Sequence, residues 1–216
     1  MPRKSKTLDL SVRSPTQSRS RTTVEAIVEA ATRILYKEGM ARLNTNLVAE
    51  RAGTSIGTLY QYFPNKEAIL LTIAKRQLDQ DRGEVMATIS AALEAPDAEL
   101  ERVIIRKAID LYLQNTETRR ALMQTLVTLG REEEATRTMQ DVIAMLSDRV
   151  AQSPASLPQK ISPTMIFIVA HAVEGAIRAA AYGNRALLMS RAFEDELVRL
   201  VRSYLRPDAA PERGSS

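Results

Sequence analysis

The chain has 216 residues, with 30 Lys or Arg against 26 Asp or Glu and a net charge of +4, long enough to bury a sizeable core in one or two domains. Cysteine is absent, which excludes disulfides and thiolate metal sites and fits a reducing cytoplasm. The longest apolar run, Met165 to Val173, is interrupted by His171 and falls short of the ~18 residues a membrane span needs; with no signal-peptide core in residues 1–20, a soluble cytoplasmic protein is expected.

Residues 1–18 contain eight Ser, Thr or Pro and no helical period, so they are expected to be a disordered basic arm. Thr22 and Glu25 have the spacing of a capping box, which predicts a helix start there. Val24, Ile27, Val28, Ala31 and Leu35 then recur on one helical stripe, and Gly39 ends the run.

Thr45 to Lys66 (TNLVAERAGTSIGTLYQYFPNK) is the most informative stretch. Thr45 is expected to cap a short helix, because its hydroxyl can accept an orphan N–H of the first turn. Gly53 stops that helix, Ser55 caps a second one carrying Ile56 to Tyr62, and Pro64 ends it. Asn65 then caps a much longer helix from Lys66. Two short helices joined by a tight Gly turn make a helix-turn-helix, whose second helix is sized for the DNA major groove.

The strings Gly53-Thr54-Ser55, Gly57-Thr58-Leu59-Tyr60, Tyr62-Phe63 and Lys66-Glu67-Ala68-Ile69-Leu70 resemble the DNA-binding signature of the TetR family of bacterial transcriptional regulators, over roughly residues 20–72. Charge distribution agrees with a phosphate-binding head: residues 1–66 hold eleven basic and five acidic side chains, the remainder nineteen and twenty-one. Arg3, Lys4, Lys6 and Arg13 of the arm are either minor-groove and phosphate contacts or an inert solubilising tail. The expected organisation is a basic arm (1–18), a helix-turn-helix domain (19–66), a helical ligand-binding and dimerisation domain (67–206) and a disordered tail (207–216).

From Lys66 a helical pattern continues past Gly83 to about Leu93, where Pro96 ends it, giving a rod able to carry a small displacement. Further helices are predicted from Ala98 to about Gln114, Glu117 to about Leu129, and Arg131 to about Gln152. After a turn-rich break at residues 153–163, two more run from about Thr164 to Gly183 and from about Leu187 to Leu205. No period-two pattern appears, so the fold is expected to be all-α with about nine helices.

The resemblance implies that positions matching Thr45, Tyr60, Tyr62 and Lys66 contact the DNA backbone; Ser55, the expected cap of the second helix, is counted with the DNA-binding residues. It implies base reading by Asn46, Ile56, Gly57 and Thr58, with Gln61 close by. Ile56 departs from the family's frequent polar or basic residue; lacking a donor, it can only touch a thymine methyl, whereas Asn46 can bond adenine bidentately. That departure also keeps open an alternative, a helical small-molecule-binding protein that has lost DNA binding.

Small residues crowd the helix MIFIVAHAVEGAIRAAAYG, and Phe193, Leu197, Leu200, Val201 and Tyr204 follow at core spacing. The family resemblance implies a homodimer built on these last two helices, with Gly175, Ala179, Phe193, Leu197, Leu200, Val201 and Tyr204 at the interface. It also implies a small-molecule pocket, for which Met86, Tyr112, Met123, Leu126 and Val127 are apolar candidates. His171, Glu174 and Arg178 share a helical face, either as polar contacts in that pocket or across subunits, or as a satisfied buried histidine. One His–Glu pair is too little for a metal site, and no catalytic constellation is visible, so no cofactor and no enzyme activity are expected. The resulting expectation is a homodimeric repressor, released from a palindromic double-stranded DNA operator by a small apolar or aromatic effector.

Overall fold

Val24, Ile27, Val28, Ala31 and Leu35 fall on one side of the first helix, and all are buried, so this stripe is what fixes helix α1 (Ser18–Glu38) against its neighbours. A computed structural model describes residue 10 and residues 18–95, 99–152 and 161–205. The basic arm and the tail therefore lie almost wholly outside the described residues. The helix begins at Ser18, four residues before the predicted capping box. Glu25 is engaged elsewhere, accepting two hydrogen bonds from the Arg76 guanidinium at 2.6 and 2.8 Å. Gly39, at φ +82°, ends α1 in a left-handed conformation that costs glycine little.

A single 3-10 turn (Met40–Arg42) leads to α2 (Thr45–Arg51). The cap of α2 is Asn44 rather than the expected Thr45. Asn44 is in extended conformation and its side-chain oxygen accepts the Leu47 N–H at 2.9 Å, so the orphan donor is satisfied one residue earlier and the Thr45 hydroxyl is left for another partner. Gly53, at φ +65°, makes the turn, and Ser55 Oγ accepts the Thr58 N–H at 3.0 Å to start α3 (Ile56–Tyr62). Asn65 caps α4 (Lys66–Glu94) through the Ala68 N–H at 2.8 Å. That helix is continuous for 29 residues, a rod of about 43 Å.

The remaining helices are α5 (Leu100–Leu113), α6 (Thr116–Thr128), α7 (Glu132–Gln152), α8 (Pro163–Gly183), α9 (Arg185–Leu188) and α10 (Arg191–Leu205). Among the described residues there are ten α-helices and no strand, so the fold is all-α. The count exceeds the expected nine because the last predicted helix is broken. Asn184 caps the four-residue α9 through the Leu187 N–H, and Ser190 caps α10 through the Phe193 N–H.

The chain divides into two compact units. One comprises Met1–Leu78 with Glu117–Ala135, the other Asp79–Thr116 with Thr136–Ser216, so the division falls inside α4 rather than between residues 66 and 67. The reason is packing: Ala68, Ile69, Leu70, Leu71, Ile73 and Ala74 of α4 belong to the first unit's core, as do Leu122 and Leu126 of α6. In the second unit α5, α8, α9 and α10 share a core that includes Ile105, Ile109, Val173, Ile177, Leu188 and Val198. By length and composition alone α8 would suffice to cross a membrane, beyond what the interrupted Met165–Val173 run suggested; here it buries Val169, Val173 and Ile177 in this core.

Candidate nucleic-acid interface

Helix α3 is held from below by Leu59 and Phe63, both fully enclosed in the first unit's core. Because α3 is only seven residues long, these anchors dictate which side faces out. Ile56, Gly57, Tyr60 and Gln61 are exposed, Thr58 and Tyr62 half-buried. From α2, Asn46 is exposed, Thr45 is half-buried, and Lys66 is half-buried at the start of α4. All ten expected DNA-binding positions thus lie outside the core, with Tyr62 packed against its edge.

Hydrogen bonds fix part of this surface before any partner arrives. Thr45 Oγ1 and the Tyr60 hydroxyl are 3.1 Å apart, tying α2 to α3. Ser55 Oγ and Thr58 Oγ1 are 2.8 Å apart. Several basic side chains of the unit are also committed internally: Arg42 and Arg51 both pair with Glu38, Arg76 with Glu25, and Lys75 with Glu134 at 3.2 Å. Arg21, Lys37 and Lys66 have no acidic partner among the described residues. Such a surface offers hydroxyls and an ammonium for phosphate oxygens, amides for base edges, and one branched aliphatic side chain.

In the second unit the Tyr112 hydroxyl donates to Glu174 Oε1 at 2.7 Å, and Arg178 lies 3.3 Å from the same carboxylate. The Tyr112 ring meets Tyr182 edge-on at 6.2 Å. Burial, reinforced by the Glu174 charge, pushes the Tyr112 phenol above its ordinary range. His171 does not join this group: it is half-buried, packs edge-on against Phe167 at 4.3 Å, and hydrogen-bonds to no described residue. Met86 is half-buried on α4. Met123, Leu126 and Val127 belong to the first unit. There Leu126 is enclosed by the core, Met123 packs on it and Val127 is exposed.

Of the expected interface residues, Leu200, Tyr204 and Ala179 are exposed and Gly175 is half-buried. Leu197 and Val201 are instead buried in the second unit's own core, with Phe193 packed against it. Two exposed apolar side chains on α8, Phe167 and Ile168, were missed. For Ile168 the signal was available as its spacing with Ala172, Gly175 and Ala179, which lines one helical face; Phe167 lies about 100° from that line. Among the described residues no group of His, Asp or Glu could hold a metal ion.

A short helix presented outward from a small helical head defines the helix-turn-helix class of DNA-binding regulators. Residues 21–73 match the model of bacterial regulatory proteins of the tetR family, and residues 96–205, about half the chain, match the tetracyclin repressor-like C-terminal domain. The chain belongs to the TetR family of transcriptional regulators. It is 25% identical over 170 residues to an HTH-type transcriptional regulator of Mycobacterium tuberculosis, spanning 74% of this chain and 83% of that protein. It is 35% identical over 54 residues to the fatty acid metabolism regulator protein of Bacillus subtilis, but spans only 28% of that protein's length and 25% of its own. Among solved structures, FadR of Thermus thermophilus, a TetR-family repressor in complex with lauroyl-CoA, superposes with a TM-score of 0.62 at 22% identity, covering 89% of this chain and 98% of that one.

Proposed function

We propose that this chain acts as a homodimeric, ligand-responsive repressor that occupies a near-palindromic operator until a small apolar or aromatic effector releases it. The observation that carries the reading is the division of α3, with Leu59 and Phe63 enclosed and Ile56, Tyr60 and Gln61 outward. Tyr60, Tyr62, Thr45 and Lys66 take the phosphates, while Asn46, Ile56, Gly57, Thr58 and Gln61 face the bases, with Ser55 holding the helix start. One such head buries little surface, so two copies reading two half-sites are needed for tight binding. The line Ile168, Ala172, Gly175 and Ala179, exposed except for the half-buried Gly175, with Leu200 and Tyr204 of α10, is the face we assign to that pairing, since small side chains let helices approach closely.

The effector is placed in the second unit, near Tyr112 and Tyr182, where Glu174 supplies a polar contact. The apolar chain of lauroyl-CoA, the compound in complex with the Thermus thermophilus protein, is the first probe, offered as laurate, with lauroyl-CoA itself as the comparison. Release requires that the effector prefer a conformation whose paired heads no longer match successive major grooves; equal affinity for both conformations would release nothing. The test is a binding titration against the promoter region of the chain's own gene at moderate salt. Selective binding by a dimer is expected, and Lys66→Ala should weaken binding to every sequence while lowering the salt slope by about one. Equal affinity for operator and unrelated duplex, or a monomer at all concentrations, would sink the reading.

A further inference from the structure

What α3 can distinguish follows from the groups its outward face has and lacks. The helix, IGTLYQY, carries no charged side chain, so it cannot supply the Arg or Lys fork that recognises guanine. Four of the hydroxyls around it are already paired, Ser55 with Thr58 and Thr45 with Tyr60, and that of Tyr62 sits on a half-buried ring at the helix end. Exposed and hydrogen-bonded to no described residue are the amides of Asn46 and Gln61. The remaining feature is Ile56, 38% exposed although Leu59 and Phe63 nearby are at 0%. Gly57 beside it has no side chain to cover it. An aliphatic side chain left in water gains free energy only when an apolar surface covers it, and the apolar group that a base pair presents in the major groove is a pyrimidine 5-methyl.

We propose that Ile56 reads the 5-methyl group of a pyrimidine, once in each operator half-site, as a specificity-determining contact. The proposal rests on the DNA-binding reading above. Two bases carry that group, thymine and 5-methylcytosine, and the experiment separates them.

The full chain is used to select an operator from random duplex DNA, and each thymine of the half-site is then replaced symmetrically by deoxyuridine, which lacks only the methyl. One position is expected at which uracil weakens binding about fourfold per half-site, about fifteenfold for the pair, the size of withdrawing one methyl from water. Ile56→Ala should bind thymine and uracil operators equally at that position while keeping its salt dependence, which shows that the head is folded and bound. At the same position, 5-methylcytosine bound more tightly than cytosine would assign recognition to the methyl on either base. Equal binding of those two, with thymine still preferred over uracil, would assign it to thymine. Tolerance of uracil at every position, or a thymine preference that survives in both Ile56→Ala and Ile56→Ser, would overturn the proposal while leaving the DNA-binding reading intact. Failure to enrich any sequence would overturn both.

Discussion

Ile27, Ile34, Leu59, Phe63, Ile69, Leu122 and Leu126 of the first unit are all fully enclosed, and among its described residues the large apolar side chains left outside are Ile56, Tyr60 and Val127. Among its described residues the second unit has fewer such enclosed side chains, and leaves Phe167, Ile168, Leu187, Met189, Leu200 and Tyr204 outside. It also takes in a charge: Glu194 is 2% exposed, between Arg102 at 3.1 Å and Arg106. A unit with a closed apolar core holds its surface residues rigidly, which suits the positioning of a reading helix. A unit that leaves more large apolar side chains outside has more apolar surface for a second chain or a ligand to cover. The contrast supports the proposal that the first unit reads DNA and the second carries the pairing.

The largest expected effect tests the closed core. Phe63→Ala should lower stability by about 3–5 kcal/mol, the usual cost of emptying a buried phenyl site, and should abolish operator binding because α3 loses its anchor. Chemical denaturation measures it. Phe167→Ala sharpens the comparison with the same residue type at 52% exposure. On the dimer reading, any loss beyond that of its contact with His171 in the same chain should depend on protein concentration. A concentration-independent loss of similar size at both sites would erase the distinction between the units.

The next largest effect concerns the buried charge. Arg102 also bonds Asp195 at 2.6 Å and Glu99 at 2.7 Å, so Glu194 is one member of a network joining α5 to α10. Glu194→Ala should cost about 1–2 kcal/mol, less than for a fully buried pair, because Arg102 and Arg106 are 32% and 53% exposed and can turn to water. Glu194→Gln should recover part of it. The same network sets an acid limit. Hydrogen bonds from Arg102 and then Arg202 hold Glu99 below its ordinary value of 4.5, so its contribution is present above that value and lost as the pH falls through the lowered one.

How much of this was legible in the sequence depended on whether the signal was local. The helix-turn-helix was readable because Gly53, Ser55 and Asn65 each act on a backbone group within three residues. Even there, Asn44 and Thr45 are adjacent cap-competent residues, and only backbone conformation chose Asn44. Glu25 looked like a capping partner of Thr22 because its true partner, Arg76, is 51 residues away. On α10, Leu197, Leu200, Val201 and Tyr204 share one apolar stripe about 100° wide, and spacing alone does not say which edge of it turns inward; packing against α5 and α8 buries Leu197 and Val201 and leaves Leu200 and Tyr204 exposed. The Arg102–Glu194 contact, 92 residues apart, left no local pattern at all.

The smallest effect lies at the polar contact inside the second unit. Tyr112→Phe removes the hydroxyl that donates to Glu174 and should cost about 1 kcal/mol at neutral pH, as for a single hydrogen bond. Its pH dependence separates this from a mere packing change. Burial first, and the Glu174 charge second, raise the Tyr112 phenol above its ordinary value of 10.0. A raised value means the folded chain keeps its proton where the unfolded chain has lost it. The stability that Tyr112 adds is therefore complete below pH 10 and declines as the pH rises beyond it. The difference between the native chain and Tyr112→Phe should be constant through neutrality and shrink in alkali, followed by denaturation midpoints at stepped pH. A difference that stays constant to high pH would mean that Tyr112 ionises as an ordinary exposed phenol and that Glu174 is free to meet a ligand without first giving up this bond.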